Sequence, residues 1–422
     1  MPVDWDDAFV FRTNVAMALP RTPSGWQTEI VRCDAEFVLY RVQQPDVDVT
    51  RLVLTPAGDS PALASLGRLA NEYALREELD PQWAVCPLEL IRRDGHSFLM
   101  LEDPGGEPLE GLLGQAMEPG LFLRIASGLA TALARLHAQG IIHKDVKPAN
   151  VLVDARSGAV HLMGLGIASR LLRERQVLAS PEDLAGTLAY MAPEQTGRMN
   201  RSIDSRSDLY ALGVSFYQML TGVLPFTAAD PIAWMHCHLA LQATPPAERV
   251  GGVPELLSAI VMKLLTKAAE ERYQTATGLD ADLRYCLLQW QSKGQIDIFP
   301  LGRHDASAQL LIPEQLYGRE AEIALLAAAF ERVAADGAPE LVLLSGYVGI
   351  GKSALVGELH QVLVPRHALF AAGKFEQYQR DIPYATLAQA CRALVRQILG
   401  QSEAEVSRWS DALQGAVGKH GQ

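Results

Sequence analysis

Two short stretches of this chain hold residues whose types and spacing suit phosphate chemistry. In HKDVKPAN (143–150), Asp145, Lys147 and Asn150 lie within a few positions of one another. Moving a phosphoryl group onto a hydroxyl asks a protein for little covalent work and much positioning. A carboxylate must accept the hydroxyl proton, a cation must neutralise the moving phosphate, and carboxylate and amide oxygens must hold magnesium. Asp145 is the candidate base, Lys147 the phosphate partner and Asn150 a metal ligand. In GYVGIGKS (346–353) the pattern G-x-x-x-x-G-K-[ST] is complete. With Gly346 opening the motif, amides around Gly349 and Gly351 would cradle phosphates at a helix N-terminus. Lys352 would reach the β and γ phosphates, and Ser353 would ligate magnesium. The chemistry points to ATP and Mg2+ as cofactors, with Mg2+ expected at the second stretch rather than the first.

Elements must hold these stretches in place. EFVLYRV, TRLVLTP and SFLMLED are apolar runs bounded by polar or turn residues, and read as strands. ALASLGRLANEYALREEL has apolar residues three and four apart and reads as a helix between them. From 119 the pattern turns mainly helical. LFLRIASGLATALARLHAQG is a long amphipathic helix closed by Gly140; DLYALGVSFYQMLTG, PELLSAIVMKLLTK and GLDADLRYCLLQW are three more. Residues 293–313 show no sustained period and read as a linker. After 314 a helix, REAEIALLAAAFERVAA, precedes an apolar strand, LVLLS, then the glycine-rich turn and a helix, KSALVGELHQVL. Strand, loop and helix in that order open an α/β nucleotide-binding domain.

The 422 residues carry a net charge of −12, which argues against a general binder of nucleic acid or anionic membrane. No apolar run reaches the roughly 18 residues of a membrane span. The acidic start, MPVDWDDAFVFR, lacks the order of a signal peptide. Five scattered cysteines read as reduced, partly buried thiols of a cytoplasmic protein. His236-Cys237-His238 lies in an apolar helical stretch without a second ligand pair, so it is read as structural rather than as a metal site.

HKDVKPAN resembles the catalytic loop of protein kinases, with Lys144 where arginine is commoner. GTLAYMAPEQ (186–195) resembles the end of a Ser/Thr kinase activation segment, with Ser169 and Ser180 as serines in that region. SDLYALG (207–213) resembles the start of the buried helix whose aspartate, here Asp208, braces the catalytic loop. EERYQT (270–275) supplies Arg272, the usual partner of the glutamate matched by Glu194. RMNRSIDSRSDLYALGVSFYQMLTGVLPF, followed by LYGREAEI and GKFEQYQRDIPYATLAQA, is similar to large bacterial signalling proteins. These join an N-terminal Ser/Thr kinase domain to an AAA-like, STAND-type ATPase, with sensory domains and often a histidine kinase beyond. The resemblance implies an α+β bilobal kinase-like fold over 1–292, with an N-lobe to about 101 and a C-lobe over 104–292. A linker over 293–313 and the first part of an α/β P-loop ATPase over 314–422 follow. It implies protein partners or substrates in signalling, downstream domains in a longer chain, and neither nucleic acid nor membrane as partner.

Three ATP-handling parts depart from the kinase pattern. VRCDAEFVLYRV (31–42), which matches the glycine-rich loop, has no glycine, and backbone amides need glycines to approach phosphate closely. Asp34 and Glu36 would instead repel phosphate. Thr55 stands where the strand lysine is expected, and no lysine precedes Lys144. Arg41 and Arg51 are the cations available as substitutes, although a guanidinium is longer, planar and differently hydrated. Glu72, which matches the lysine's helix partner, is left with no obvious mate. Gly164, in VHLMGLGIAS, replaces the metal-binding aspartate, and Asp154, ten residues earlier, is not placed to reach the metal.

Three readings follow. The first is a pseudokinase or very weak kinase regulating the attached ATPase. The second is an active Ser/Thr kinase with an atypical metal site, supported by Asp145, Lys147 and Asn150. The third is a nucleotide switch whose working part is the P-loop domain. No apolar strand ending in paired acids follows Ser353, so the ATPase module reads as cut short and hydrolysis by this chain alone is not expected.

Overall fold

The computed structural model describes residues 10–11, 20–21, 27–43, 49–58, 61–93, 96–170, 188–197, 201–306, 316, 318–347, 349–363, 369–373, 384–399 and 403–417. The acidic N-terminal stretch up to Ala8, Ser180, the first two residues of GTLAYMAPEQ and positions 374–383 of GKFEQYQRDIPYATLAQA lie outside them.

Along the chain a short pair, β1 (Val10–Phe11) and β2 (Pro20–Arg21), precedes β3 (Gln27–Cys33), β4 (Phe37–Gln43) and β5 (Thr50–Pro56). Then come α1 (Leu63–Ala74), β6 (Pro87–Arg93), β7 (His96–Glu102), β8 (Glu107–Pro108) and α2 (Pro119–Ala138). β9 (Val151–Val153), β10 (Val160–Leu162), α3 (Ser205–Thr221), α4 (Pro231–Ala240), α5 (Pro246–Arg249), α6 (Glu255–Leu264) and α7 (Ala276–Lys293) follow. Last are α8 (Glu320–Asp336), α9 (Lys352–Leu363), α10 (Ala385–Leu399) and α11 (Glu403–Val417). The Cα trace divides into two units. One holds residues 1–172, 204–225 and 244–309; the other holds 173–203, 226–243 and 310–422.

In the first unit, an antiparallel sheet in the order β3-β4-β5-β7-β6 carries α1. Strand residues alternate faces, and β4 is apolar on both. Phe37 and Leu39 join Leu52, Leu54, Leu69, Leu99, Leu101, Leu152 and Met163 in one core; Val38, Tyr40 and Val42 join Val53, Ile91, Phe98 and Met100 in another. β4 is therefore central rather than half-solvated. α2 begins at Pro119, whose missing N–H costs nothing at the first helical position. Glu118 caps it, its carboxylate accepting from the Gly120 and Leu121 amides at 2.8 Å each. Burial of Phe122, Ile125, Leu129, Leu133 and Leu136 gives α2 its long inner stripe. β9, directly after the 143–150 stretch, is the middle strand of a small sheet in the order β10-β9-β8.

Residues 294–306, expected to begin a linker, form no helix or strand but are tied to α7. Asp305 accepts from the Gln274 amide at 2.6 Å and from the Thr275 amide and hydroxyl at 2.8 Å each. Gly302 N–H donates to Asp282 at 2.7 Å. A Cβ on Gly278 would lie 2.6 Å from Asp305 Cα, so the glycine admits this close return.

In the second unit, α8 and α9 occupy the expected helical stretches. The expected strand LVLLS is a correction. Residues 341–345 belong to no strand, and Leu341 and Leu343 are each 83% exposed. A strand is a pairing, and among the described residues no segment pairs with this one; an apolar run alone supplies no hydrogen-bond partner.

Candidate functional site

The catalytic-loop stretch is held from below by one buried carboxylate. Asp208, in the first turn of α3, accepts from the His143 amide through Oδ2 and the Lys144 amide through Oδ1, both at 2.8 Å. His137 Nε2 meets the same Oδ2 at 2.8 Å. These bonds hold Lys144 at φ 66°, a region that L-residues seldom enter. His143 is fully buried; its Nδ1 accepts from the Asp145 amide at 3.2 Å and its Nε2 donates to Met163 O at 3.1 Å. The loop is thereby set before any ligand arrives.

Asp145, Lys147 and Asn150 come together. Lys147 Nζ lies 2.9 Å from Asp145 Oδ2. Asn150 Nδ2 donates to Asp145 O at 2.8 Å and to Asp145 Oδ2 at 2.9 Å. Asp145 Oδ1 is buried and makes no hydrogen bond among the described residues.

Asn150 Oδ1, the oxygen expected on a metal, is taken. Arg32, near the end of β3, donates to it through Nη1 at 2.5 Å and to Ala149 O at 2.8 Å. The Arg32 side chain is only 8% exposed. Its Nε is buried and makes no hydrogen bond among the described residues; it lies 3.7 Å from Asp34 Oδ2. Sequence reasoning weighed Arg41 and Arg51 as substitute cations and passed over Arg32. The available signal was an arginine inside a glycine-free flap in a region with no lysine.

Gly164 has φ 78°, and a Cβ there would lie 2.6 Å from both Cγ and Oδ1 of Asn150. The Asn150 side chain thus fills the space through which an aspartate at 164 would leave the backbone. With Oδ1 on Arg32 and no carboxylate at 164, these residues do not fit a magnesium ion bridging Asn150 and position 164. Asp154 is engaged locally, accepting from the Arg156 amide at 2.9 Å and the Ser157 hydroxyl at 2.8 Å.

The other ATP-side positions are also committed. Thr55, expected at the strand-lysine position, is a correction: it is buried in β5 opposite Val38, on the sheet face of Val38 and Val53, whereas Leu54 shares the other face with Leu69 of α1, so the β5 position that faces α1 and Glu72 is an apolar leucine. Glu72, expected to lack a mate, has one: its Oε1 accepts from the Gly164 amide at 3.1 Å. Burial pushes its carboxyl above the usual carboxylate range, against the backbone donors Leu165 and Gly164 and the Arg32 charge. Arg41 does not serve as a substitute for the lysine; it binds Asp103 and Glu107 at 2.9 Å each and Gly106 O at 2.6 Å. Its nearest contacts lie after β7, where opposite charge was available. Arg51 Nη1 donates to Thr50 O at 3.3 Å. At the β3–β4 turn, Asp34 Oδ1 accepts from the Glu36 and Phe37 amides at 2.9 and 2.8 Å. Glu36 binds the Ser65 hydroxyl at 2.9 Å and pairs with Arg68. A side-chain-closed turn of this kind replaces a glycine flap.

In the second unit, Gly349 and Gly351 have φ of 84° and 95°, and a Cβ on Gly349 would meet nothing within 4 Å. Lys352 Nζ folds over the loop onto Gly346 O at 2.8 Å and Tyr347 O at 2.7 Å, and Ser353 is exposed at the start of α9. Open space above Gly349, with a lysine and a hydroxyl at a helix N-terminus, fits nucleotide phosphate and magnesium. His238 of the HCH stretch is buried, with Nε2 2.8 Å from Leu188 O and its ring stacked on Trp234. Among the described residues, no group of three or more His, Cys, Asp or Glu is placed to hold a metal ion. No described helix is long and apolar enough to cross a membrane.

Two known domain families match parts of the chain. The protein kinase domain model matches residues 61–282, and the AAA ATPase domain model matches residues 315–422. The chain is 34% identical over 254 residues to hybrid signal transduction histidine kinase G of Dictyostelium discoideum, covering 56% of this chain and 7% of that protein. It is 38% identical over 167 residues to serine/threonine-protein kinase PknB of Mycobacterium tuberculosis, covering 40% of this chain and 26% of the relative. To the probable PknB of Bifidobacterium longum it is 36% identical over 160 residues, covering 38% and 23%. The chain thus spans about a quarter or less of each of these relatives. It belongs to the protein kinase family, with an AAA ATPase domain in the same chain.

Proposed function

We propose that the kinase-fold part, residues 1–292, is a non-catalytic or very weakly catalytic signalling module that regulates the attached P-loop ATPase. One observation carries the reading: Asn150 occupies the space beside Gly164 that a metal-binding aspartate would need. The apolar Leu54 on the α1-facing side of β5 and the engaged Arg41 point the same way, since they leave phosphate without a strand cation. Phosphoryl transfer depends on electrostatic parts acting together, so missing several removes most of the rate.

Nucleotide use is assigned to the P-loop, where Lys352 would exchange its loop carbonyls for phosphate oxygens and Ser353 would hold magnesium. Regulation has a physical route within the second unit. Arg201, shortly after the Ala-Pro-Glu stretch, pairs with Glu358 on α9 at 3.3 Å, with side chains 12% and 11% exposed. Protein partners in a signalling pathway are part of this proposal.

One feature favours a kinase with an atypical site. Asp145 Oδ1 is free of hydrogen bonds among the described residues and could accept a hydroxyl proton. The test is phosphate transfer from ATP to a generic basic protein by the full chain, with Asp145→Asn as the blank. The expected rates are the same for both. Transfer at roughly 1 to 100 per second, abolished by Asp145→Asn, would overturn the non-catalytic reading.

A further inference from the structure

The kinase-type cleft and its magnesium disagree, and the disagreement centres on Arg32. A divalent ion in such a cleft does two jobs: it draws phosphate oxygens together, and it pins the catalytic-loop amide. The second job needs only a positive charge on Asn150 Oδ1. Arg32 supplies one, at 2.5 Å, with the same nitrogen also on Ala149 O at 2.8 Å.

The consequences run through a short chain of bonds. With Oδ1 fixed, the Asn150 amide cannot turn over, so Nδ2 faces Asp145 and holds it through O and Oδ2. Lys147 closes the set from the other side, 2.9 Å from Asp145 Oδ2. The charged groups in this set are Arg32, Asp34, Glu72, Asp145 and Lys147. A methionine at position 32 would leave Asn150 Oδ1 without this donor and Glu72 without an opposing positive charge. Hydrogen bonds from an ionised donor are about twice as strong as neutral ones. The partner is also far away in sequence, since β3 and the loop are separated by 118 positions. It therefore locks the strand and the loop of this unit to each other.

We propose that Arg32 is the resident cation of this cleft: it replaces the metal as the positioning residue that holds Asn150 and, through it, Asp145 in order with no ion bound. The proposal goes beyond the non-catalytic reading and would stand even if the cleft transferred phosphate slowly.

The experiment is hydrogen exchange on the full chain, read at residues 143–151, with β4 residues 38–42 as the internal reference. Arg32→Met should speed exchange at 143–151 on the order of tenfold, the worth of one charge-assisted hydrogen bond, and leave 38–42 unchanged. Arg32→Lys, which keeps a cation, should stay within about threefold of the unmodified chain. Millimolar Mg2+ should not slow exchange at 143–151 in the unmodified chain. If Arg32→Met does not fold, Arg32→Gln removes the charge and takes its place. Three results would each overturn the proposal: unchanged exchange at 143–151 in the uncharged variant, Arg32→Lys exchanging as fast as that variant, or Mg2+ protecting 143–151 in the unmodified chain. Equal acceleration at 38–42 would also count against it, as the sign of a general structural role.

Discussion

The Gly164 amide donates to Glu72 Oε1 at 3.1 Å, so the two positions flanking the missing cation and the missing carboxylate bind each other. Glu72 sits on the inner face of α1 and is buried. In the kinase pattern its mate is a lysine; here the mate is the backbone itself. Burial of this carboxyl outweighs its backbone N–H donors and the Arg32 charge, and raises its pKa.

That shift gives a pH-dependent prediction. A carboxyl whose folded value is raised burdens the folded state as pH climbs through the range between its unfolded and folded values. Below the unfolded value both states are protonated and there is no burden. Glu72→Gln keeps an acceptor for the Gly164 amide and cannot ionise. It should match the unmodified protein in acid and become the more stable of the two as pH rises past the ordinary glutamate range. Urea unfolding across pH checks this. A stability gap that is constant with pH would count against it.

Restoring an aspartate at 164 should harm rather than help. The position has φ 78°, and its Cβ would press on Asn150 at 2.6 Å. Left-handed backbone costs an L-residue about 1 kcal/mol, and overpacking adds about 1–3 kcal/mol. Gly164→Asp should therefore lower stability by roughly 2–4 kcal/mol, measured by urea unfolding. Adding Thr55→Lys should not recover the loss. A stable Gly164→Asp variant that binds Mg-ATP tightly would refute the assignment of Asn150 to this space.

Asp208 makes a third case. It is 1% exposed and accepts from two loop amides. Asp208→Ala leaves both amides and His137 without that acceptor, and should destabilise by about 3–5 kcal/mol. Asp208→Asn keeps one acceptor and should lose less. Thermal unfolding of the two variants side by side gives the order.

Nucleotide binding separates the two phosphate-type sites. Lys352→Ala should remove most ATP and ADP binding by the full chain, while Asp145→Ala should leave it nearly unchanged. Equilibrium binding of a fluorescent nucleotide reads both. A larger loss with Asp145→Ala would move the site to the kinase-type cleft.

Much of this arrangement is legible in the sequence, for physical reasons. β4, β5, β7, α2, α3, α6 and α7 carry strong apolar patterns over their own lengths. The catalytic loop and its brace at Asp208 carry side chains in fixed order. β3 and β6 are less visible. β3 mixes exposed and half-buried residues without a continuous apolar face, and β6 opens on Pro87 and carries charges. The P-loop motif is legible, whereas pairing of the run before it is a property of neighbours that the run does not encode. Arg32 on Asn150 and Glu72 on the Gly164 amide are least legible. Each joins positions far apart along the chain, and neither residue type announces its mate.

Asn150 lying across Gly164 also bears on how such a protein can change over generations. A single substitution that returns the carboxylate meets an occupied space, and one that returns the strand lysine finds Glu72 already bonded to the backbone. Neither reversal removes what penalises the other. The cleft therefore behaves as a ratchet: drift away from the metal-binding form proceeds one residue at a time, while return requires several coordinated changes.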